Sequence, residues 1–316
     1  MDVFRSLDEA KASGSLRGCA VAIGNFDGVH LGHQALLALA RVRSRLHGTK
    51  AVALTFEPHP VRVLRPQLAP PLVTPLPRKL ELLAAQRLDA TVVQPFDLAY
   101  AATPAADFVA RDLGDRLGCA EVVVGYDFTA GHERARVDAL RPLLAAREIR
   151  LHVVEPVTSD GLVVSSTKVR EFLLEGNVEA AALLLTRPHD VDGEIVHGAG
   201  RGRGFGFPTA NVATRALLPA NGVYVVRASV GGTPPASDVG GVCNVGVKPT
   251  VETGGSVVLE VHLLDFPDGD LYGRPIRVEF LARLREERRF PTVDALRAQI
   301  TQDVARARDV LAAATM

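Results

Sequence analysis

Gly24-Asn25-Phe26-Asp27-Gly28-Val29-His30-Leu31-Gly32-His33 runs from the end of the apolar segment Cys19–Ile23 into Leu31–Leu46, where Leu and Ala recur at helical spacing. The stretch therefore lies where a strand gives way to a helix. That junction offers free backbone N–H groups and the positive end of a helix dipole, a natural anion site. Gly24 and Gly28 let the backbone approach a phosphate closely, with Phe26 and Asp27 between them. His30 and His33 are three apart and face one way on a first helical turn. Their imidazoles are placed to donate hydrogen bonds to phosphates and to charge on a departing group. A metal between the two histidines is the weaker reading, because no Cys or carboxylate is spaced to complete a ligand set.

Outward from this junction, apolar runs alternate with helical spacing. Strands are predicted at Cys19–Ile23, Ala51–Phe56, Ala90–Gln94, Glu121–Gly125 and Leu151–Glu155. Helices are predicted at Leu31–Leu46, Arg78–Arg87, Ala105–Leu117 after Pro104, and around Val137–Ala146. Strands apolar throughout and separated by helices imply a doubly wound parallel sheet in an α/β domain, with ligands beyond the carboxyl ends of its strands. After Arg187-Pro188 the chain turns rich in Gly, Pro, Thr and Val. Short strands at Gly193–His197, Gly222–Val230, Val257–Leu264 and Ile276–Ala282 predict a small antiparallel β-barrel. Leu296, Ile300, Val304 and Leu311 mark a C-terminal helix over Val293–Ala313. The expected domains are 1–186 and 187–316.

The 316 residues carry 36 Lys plus Arg against 36 Asp plus Glu. A neutral total argues against bulk binding to nucleic acid or to an anionic membrane. Cys19, Cys119 and Cys243 form no Cys-x-x-Cys pair and read as thiols in a reducing compartment. No apolar run approaches the ~20 residues that span a bilayer, and Met1–Ser15 has no signal-peptide pattern. A cytoplasmic, water-soluble protein is expected; a weak homo-oligomer stays open.

A second phosphate site is written in Gly193-Glu-Ile-Val-His-Gly-Ala-Gly-Arg-Gly-Arg-Gly-Phe-Gly-Phe-Pro-Thr-Ala-Asn211. Gly200, Gly202 and Gly206 give a backbone able to wrap phosphates, with Arg203 supplying charge beside it. An isolated Gly/Arg run more often belongs to a nucleic-acid-binding tract. Here it is one short stretch between strands, which favours a nucleotide loop. Thr209 and Asn211 are two apart, so an extended chain points their oxygens one way, suiting Mg²⁺ held with ATP phosphates.

The first motif resembles the signature of the nucleotidyltransferase superfamily. Phe56-Glu-Pro-His-Pro60, Gly125-Tyr-Asp-Phe128 and Ser165-Ser-Thr-Lys-Val-Arg170 narrow the resemblance to the bacterial bifunctional riboflavin kinase/FAD synthetases. Gly-Phe-Pro-Thr-Ala-Asn211 looks like their kinase signature. It continues through Pro219-Ala-Asn-Gly-Val-Tyr224, Asn244-Val-Gly-Val-Lys-Pro-Thr250, Glu260-Val-His-Leu-Leu-Asp265, Asp270-Leu-Tyr-Gly273 and Phe280-Leu-Ala-Arg-Leu-Arg285. The resemblance implies an ATP- and Mg²⁺-using enzyme that converts riboflavin to FMN and FMN to FAD. It implies Glu260 as the base of the kinase step, with Pro208 and Asn244 at its ATP. It implies His30, His33 and Arg170 as the catalytic groups of adenylylation, with Ser165, Ser166 and Thr167 on ATP. Pro58, His59, Asp127 and Phe128 are implied at the flavin. Three positions depart from the pattern: Ala130 precedes Gly131 where the family has Phe, Arg136 or Val137 replaces a glycine, and Ala199 replaces an acidic residue. The first two raise a rival reading, a riboflavin kinase with a weak or retargeted N-terminal module. A flavin-binding sensor without turnover is the other rival; Glu260 opposes it, because binding alone needs no base.

Overall fold

A computed structural model describes residues 1–197, 207–231, 239–247, 257–266 and 271–314. The chain divides into two compact units, Met1–Pro71 with Pro75–Ser165, and Leu72–Thr74 with Ser166–Met316.

The first unit carries β1 (Asp2–Phe4), β2 (Ala20–Ile23), β3 (Ala51–Glu57), β4 (Ala90–Pro95), β5 (Glu121–Gly125), the short pair β6 (Thr129–Ala130) and β7 (Ala135–Arg136), and β8 (Arg150–Val154). Six of these form one sheet in the order β1-β4-β3-β2-β5-β8, every neighbour parallel. Its helices are α1 (Leu7–Ser13), α2 (Leu31–His47), α3 (Pro60–Leu64), α4 (Leu76–Ala85), α5 (Leu98–Ala101), α6 (Ala105–Asp107) and α7 (Val137–Ala145). From β2 the chain steps to β3 and β4 on one side, then crosses to β5 and β8 on the other. The order reverses between β2 and β5, the place where open α/β sheets bind ligands.

Central strands are buried on both faces, as continuous apolar runs require: all four residues of β2 and the first five of β3 are inaccessible. Helix α2 turns Leu36, Leu37, Ala40 and Ser44 inward and ends on Gly48 at φ 63°, whose N–H returns to the Ser44 and Arg45 carbonyls. The helix predicted over Ala105–Leu117 is α only in its first turn and winds as a π-helix over Phe108–Leu117. Wider turns put Phe108, Val109, Asp112, Leu113 and Leu117 on one buried face. Asp112 is satisfied there by Arg111 at 2.8 Å, Arg116 at 3.0 Å and the Tyr100 hydroxyl at 3.0 Å.

After the hairpin β9 (Thr158–Ser159) and β10 (Leu162–Val163), the second unit begins with α8 (Ser166–Glu175) and α9 (Val178–Leu185). Then come β11 (His189–Val196), β12 (Ala210–Thr214), β13 (Gly222–Val230), β14 (Val239–Val247), β15 (Val257–Leu263), β16 (Pro275–Arg285) and α10 (Val293–Ala313). The six strands close an antiparallel barrel in the order β11-β12-β15-β14-β13-β16. This is the architecture predicted: a parallel α/β unit, then a small barrel with a C-terminal helix. Leu72–Thr74 belong with this unit, and the Leu217 N–H bonds the Leu72 carbonyl at 3.0 Å.

Strands β12 and β14 were not predicted. Glycines at 240, 241 and 246 mask β14 as a turn-rich stretch. Their purpose is close packing: a side chain on Gly240 would collide with Leu311 of α10. Helix α10 also seats Asp303, 1% exposed, on the Arg285 guanidinium at 2.8 Å.

Candidate active sites

The loop after β2 folds back sharply. Phe26, Gly28 and Val29 have φ of 50°, 86° and 43°, and for a β-branched residue such as Val29 this is a costly conformation. It is held because Phe26 and Val29 are 0% and 1% exposed, packed with Leu37, Ala40, Leu83 and Val123. Each such burial contributes about 1.5–3 kcal/mol, which offsets about 1–3 kcal/mol of strain per residue. The loop's shape is thus fixed by the core beneath it.

His30 is the N-cap of α2, and its Nδ1 accepts the His33 N–H at 3.4 Å. With Nδ1 accepting, the proton of a neutral His30 sits on Nε2. The two rings stack at 3.7 Å and 20°, and Phe26 meets His33 edge-on at 5.3 Å. Burial, then the neighbouring His30 and Lys79, pushes the His33 pKa well below that of free imidazole. His33 is therefore held as a neutral ring with one N–H to give, and its Nδ1 is buried without a hydrogen-bond partner among the described residues. Gly32 admits close neighbours: a side chain there would lie 3.2 Å from the His30 ring and 3.6 Å from the Val164 carbonyl. That approach brings Ser165, the residue after Val164, to the first turn of α2. Ser166, Thr167 and Arg170 lie on the first turns of α8, in the second unit.

The carboxyl ends of β3 and β5 flank β2. Beyond β3, Pro58 is exposed and His59 caps α3, its Nδ1 accepting the Val61 N–H at 3.3 Å. Beyond β5, Asp127 is exposed, and Phe128 packs on the main core with its N–H on the Gly125 carbonyl at 3.1 Å. Ala130, the departure from the family pattern, is 8% exposed and faces Ala135 across the β6–β7 pair. Arg136 is exposed just before α7.

Sequence reasoning missed two features of this edge. Phe56, Phe96 and Tyr100 form an aromatic cluster with centroids 5.8–6.1 Å apart. Lys79 of α4 is fully buried near Asp27 and Glu57, its pKa lowered by burial against the pull of those carboxylates. Position 79 falls on the inner stripe of a helix, where a lysine gives no sequence signal of its own.

In the barrel, Asn211 of β12 pairs directly with Glu260 of β15, which pairs on its other side with Asn244 of β14. Directly opposed residues share a face, so the three form a row Asn211–Glu260–Asn244. Leu259 and Val261, on the opposite face, are both 0% exposed. Thr209 immediately precedes β12, and His262 donates from Nδ1 to the Pro208 carbonyl at 2.8 Å, fixing that entry. Asn244 donates to Glu287 at 3.3 Å, a contact that no motif predicted. Gly200, Gly202, Arg203, Gly206 and Ala199 lie outside the described residues.

Comparison with known proteins follows the same two-part division. Residues 12–168 match the FAD synthetase family and residues 185–311 the riboflavin kinase family. The bifunctional riboflavin kinase/FMN adenylyltransferase of Pseudomonas fluorescens is 40% identical over 94% of both chains. That of Escherichia coli K12 is 39% identical over 92% of both, and that of Bacillus subtilis 34% identical over 90% of this chain and 89% of its own. A crystal structure described as a macrolide-efflux protein from Streptococcus pneumoniae superposes with TM-score 0.82 at 29% identity, covering 92% of this chain and 94% of that one. Among the described residues here, no helix is long and apolar enough to cross a membrane. The FAD synthetase match runs through Ala130 and Arg136, and these findings favour the two-activity reading over a kinase alone. The chain belongs to the bifunctional riboflavin kinase/FMN adenylyltransferase family.

Proposed function

We propose that the barrel phosphorylates riboflavin to FMN and that the site at Gly24–His33 transfers AMP from ATP to FMN, giving FAD and pyrophosphate. The observation that carries this reading is one chain bearing both a stacked histidine pair at a sheet's switch point and an Asn–Glu–Asn row on a barrel.

In the kinase step Glu260 takes the proton of the ribityl 5′-hydroxyl as that oxygen attacks the γ-phosphorus and ADP leaves. A base so placed contributes about 10²–10⁴-fold. Thr209 and Asn211 supply the few hard oxygens that Mg²⁺ takes alongside phosphate, so their donor chemistry fits that ion. When bound, the ion neutralises phosphate charge. Pro208 and Asn244 border the nucleotide, with Gly200, Gly202, Arg203 and Gly206 wrapping its phosphates.

In the adenylyl transfer a phosphate oxygen of FMN attacks the α-phosphorus of ATP and pyrophosphate leaves. A phosphate is already a nucleophile, so this site needs alignment and hydrogen-bond donors rather than a base. His30 and the neutral His33 serve as hydrogen-bond donors from the turn shaped by Gly24, Phe26, Asp27 and Gly28. Ser165, Ser166, Thr167 and Arg170 hold ATP phosphates, and Pro58, His59, Asp127 and Phe128 hold the flavin. Buried thiols at Cys19, Cys119 and Cys243 suit a reducing cytoplasm. The partners in this reading are riboflavin, FMN and ATP, without nucleic acid or membrane, and any self-association is weak.

The test is chromatography of flavins formed from riboflavin, ATP and Mg²⁺. FMN followed by FAD is expected; FMN alone would leave the first unit without its assigned role.

A further inference from the structure

Among the described residues, Lys79 is a buried cation with no part in the proposed mechanism. It is 0% exposed, and its Nζ has no hydrogen-bond partner among the described residues. Burial of an ammonium without acceptors favours loss of its proton, and nearby opposite charge resists that loss. Three other elements supply that charge or respond to the ammonium. Asp27, 2% exposed, comes from the loop after β2; Glu57 ends β3 with its Oε2 also buried and without a partner. Both carboxylates attract the ammonium, and His33 at the start of α2 feels its charge, as it feels that of His30. Four ionisable groups, from the loop, β3, α2 and α4, thus gather at the phosphate loop.

Two carboxylates, Asp27 in the loop and Glu57 at the end of β3, oppose a triphosphate received there. The ammonium beside them cancels half of that charge, and out of contact with water its field is weakly screened. Being buried, it acts through the loop rather than on the ligand itself.

We propose that Lys79 is a positioning residue of the adenylyl-transfer site, whose ammonium offsets Asp27 of the phosphate loop and Glu57 at the end of β3 and so sets the site's affinity for ATP. The proposal rests on assigning adenylyl transfer to Gly24–His33. His33→Ala tests that assignment separately: if the variant keeps FAD formation, the assignment fails whatever Lys79 does.

The test of Lys79 is steady-state FAD formation from FMN and ATP in the full-length chain, with riboflavin phosphorylation by the same preparation as the folding control. Lys79→Met is expected to raise the KM for ATP at least tenfold with a smaller change in kcat. Adding Glu57→Gln, which restores the charge balance, is expected to return KM to within about threefold of the parent. An unchanged KM in Lys79→Met, or no recovery in the double variant, overturns the proposal, since a purely structural role gains nothing from removing a second charge. If Lys79→Met does not fold, Glu57→Gln alone decides: it is expected to lower the KM for ATP severalfold, and no change overturns the proposal.

Discussion

The imidazoles of His30 and His33 stack 3.7 Å apart, 20° from parallel, while the backbone N–H of one bonds the ring of the other. Two imidazolium ions would repel at that separation. Burial, with His30 and Lys79 nearby, holds His33 neutral, so its ring has one N–H to give, which is what a site for phosphate charge requires.

Removal of one such donor is expected to cost about 10²–10³-fold. His33→Ala should therefore reduce FAD formation by that factor and leave FMN formation intact. Glu260→Gln should do the reverse, lowering FMN formation by about 10²–10⁴-fold while supplied FMN is still adenylylated. Product chromatography reads both, and equal loss of both activities from either variant would refute separate sites.

His33 also links stability to pH. Its folded pKa lies well below the ordinary 6.5, so above that value neither folded nor unfolded chain takes the proton. Below it the unfolded chain binds a proton that the folded one refuses. Stability should then fall by at most about 1.4 kcal/mol per pH unit for this one group. Thermal unfolding between pH 7 and 5, compared with His33→Asn, isolates the effect: the variant should lose less stability over that range.

Val29→Gly relieves a left-handed conformation but deletes a buried side chain. The strain released, about 1–3 kcal/mol, and the burial lost, about 1.5–3 kcal/mol, nearly cancel. The expected result is a melting temperature close to the parent and a raised KM for ATP in FAD formation, because the loop is no longer pinned. A large fall in melting temperature would show that packing outweighs strain.

Glu121 makes a contrasting case at the opposite, amino end of β5. It is 4% exposed and bonded by Arg43 at 2.6 Å and His152 at 2.7 Å, with His47 at 3.0 Å. Burial works against its charge, but the bonds from Arg43 and His152 hold its pKa below the usual carboxylate value. Its stabilisation is present above about pH 4.5 and lost as pH falls through the lowered folded value. Glu121→Gln is expected to cost about 2–3 kcal/mol, part of it trimmed by the solvent around Arg43. Both activities should stay at parental rates when assayed below the melting temperature.

Much of this was legible in residue order. Apolar runs alternating with helical spacing were enough to predict the parallel sheet, and the carboxyl-end rule set the expected ligand site beyond its strands. Strand β1 is only three residues, too short for a periodic signal, and α1 follows it immediately. Strand β14 hid behind glycines that close packing requires, Gly240 against Leu311 of α10 among them. Lys79 and Glu287 were invisible for another reason: their neighbours, Asp27 and Asn244, are 52 and 43 positions away, and local pattern carries nothing about such partners.

The grouping of Leu72–Thr74 with the second unit bears on how this gene can be dissected. A single cut anywhere between Thr74 and Ser166 strips the downstream fragment of the Leu72 carbonyl that receives the Leu217 N–H. Neither deletion from one end nor a simple split delivers that unit whole. The two activities are tied by topology as well as by a shared reading frame, and recombination that swaps the second unit between relatives would have to carry residues 72–74 along with it.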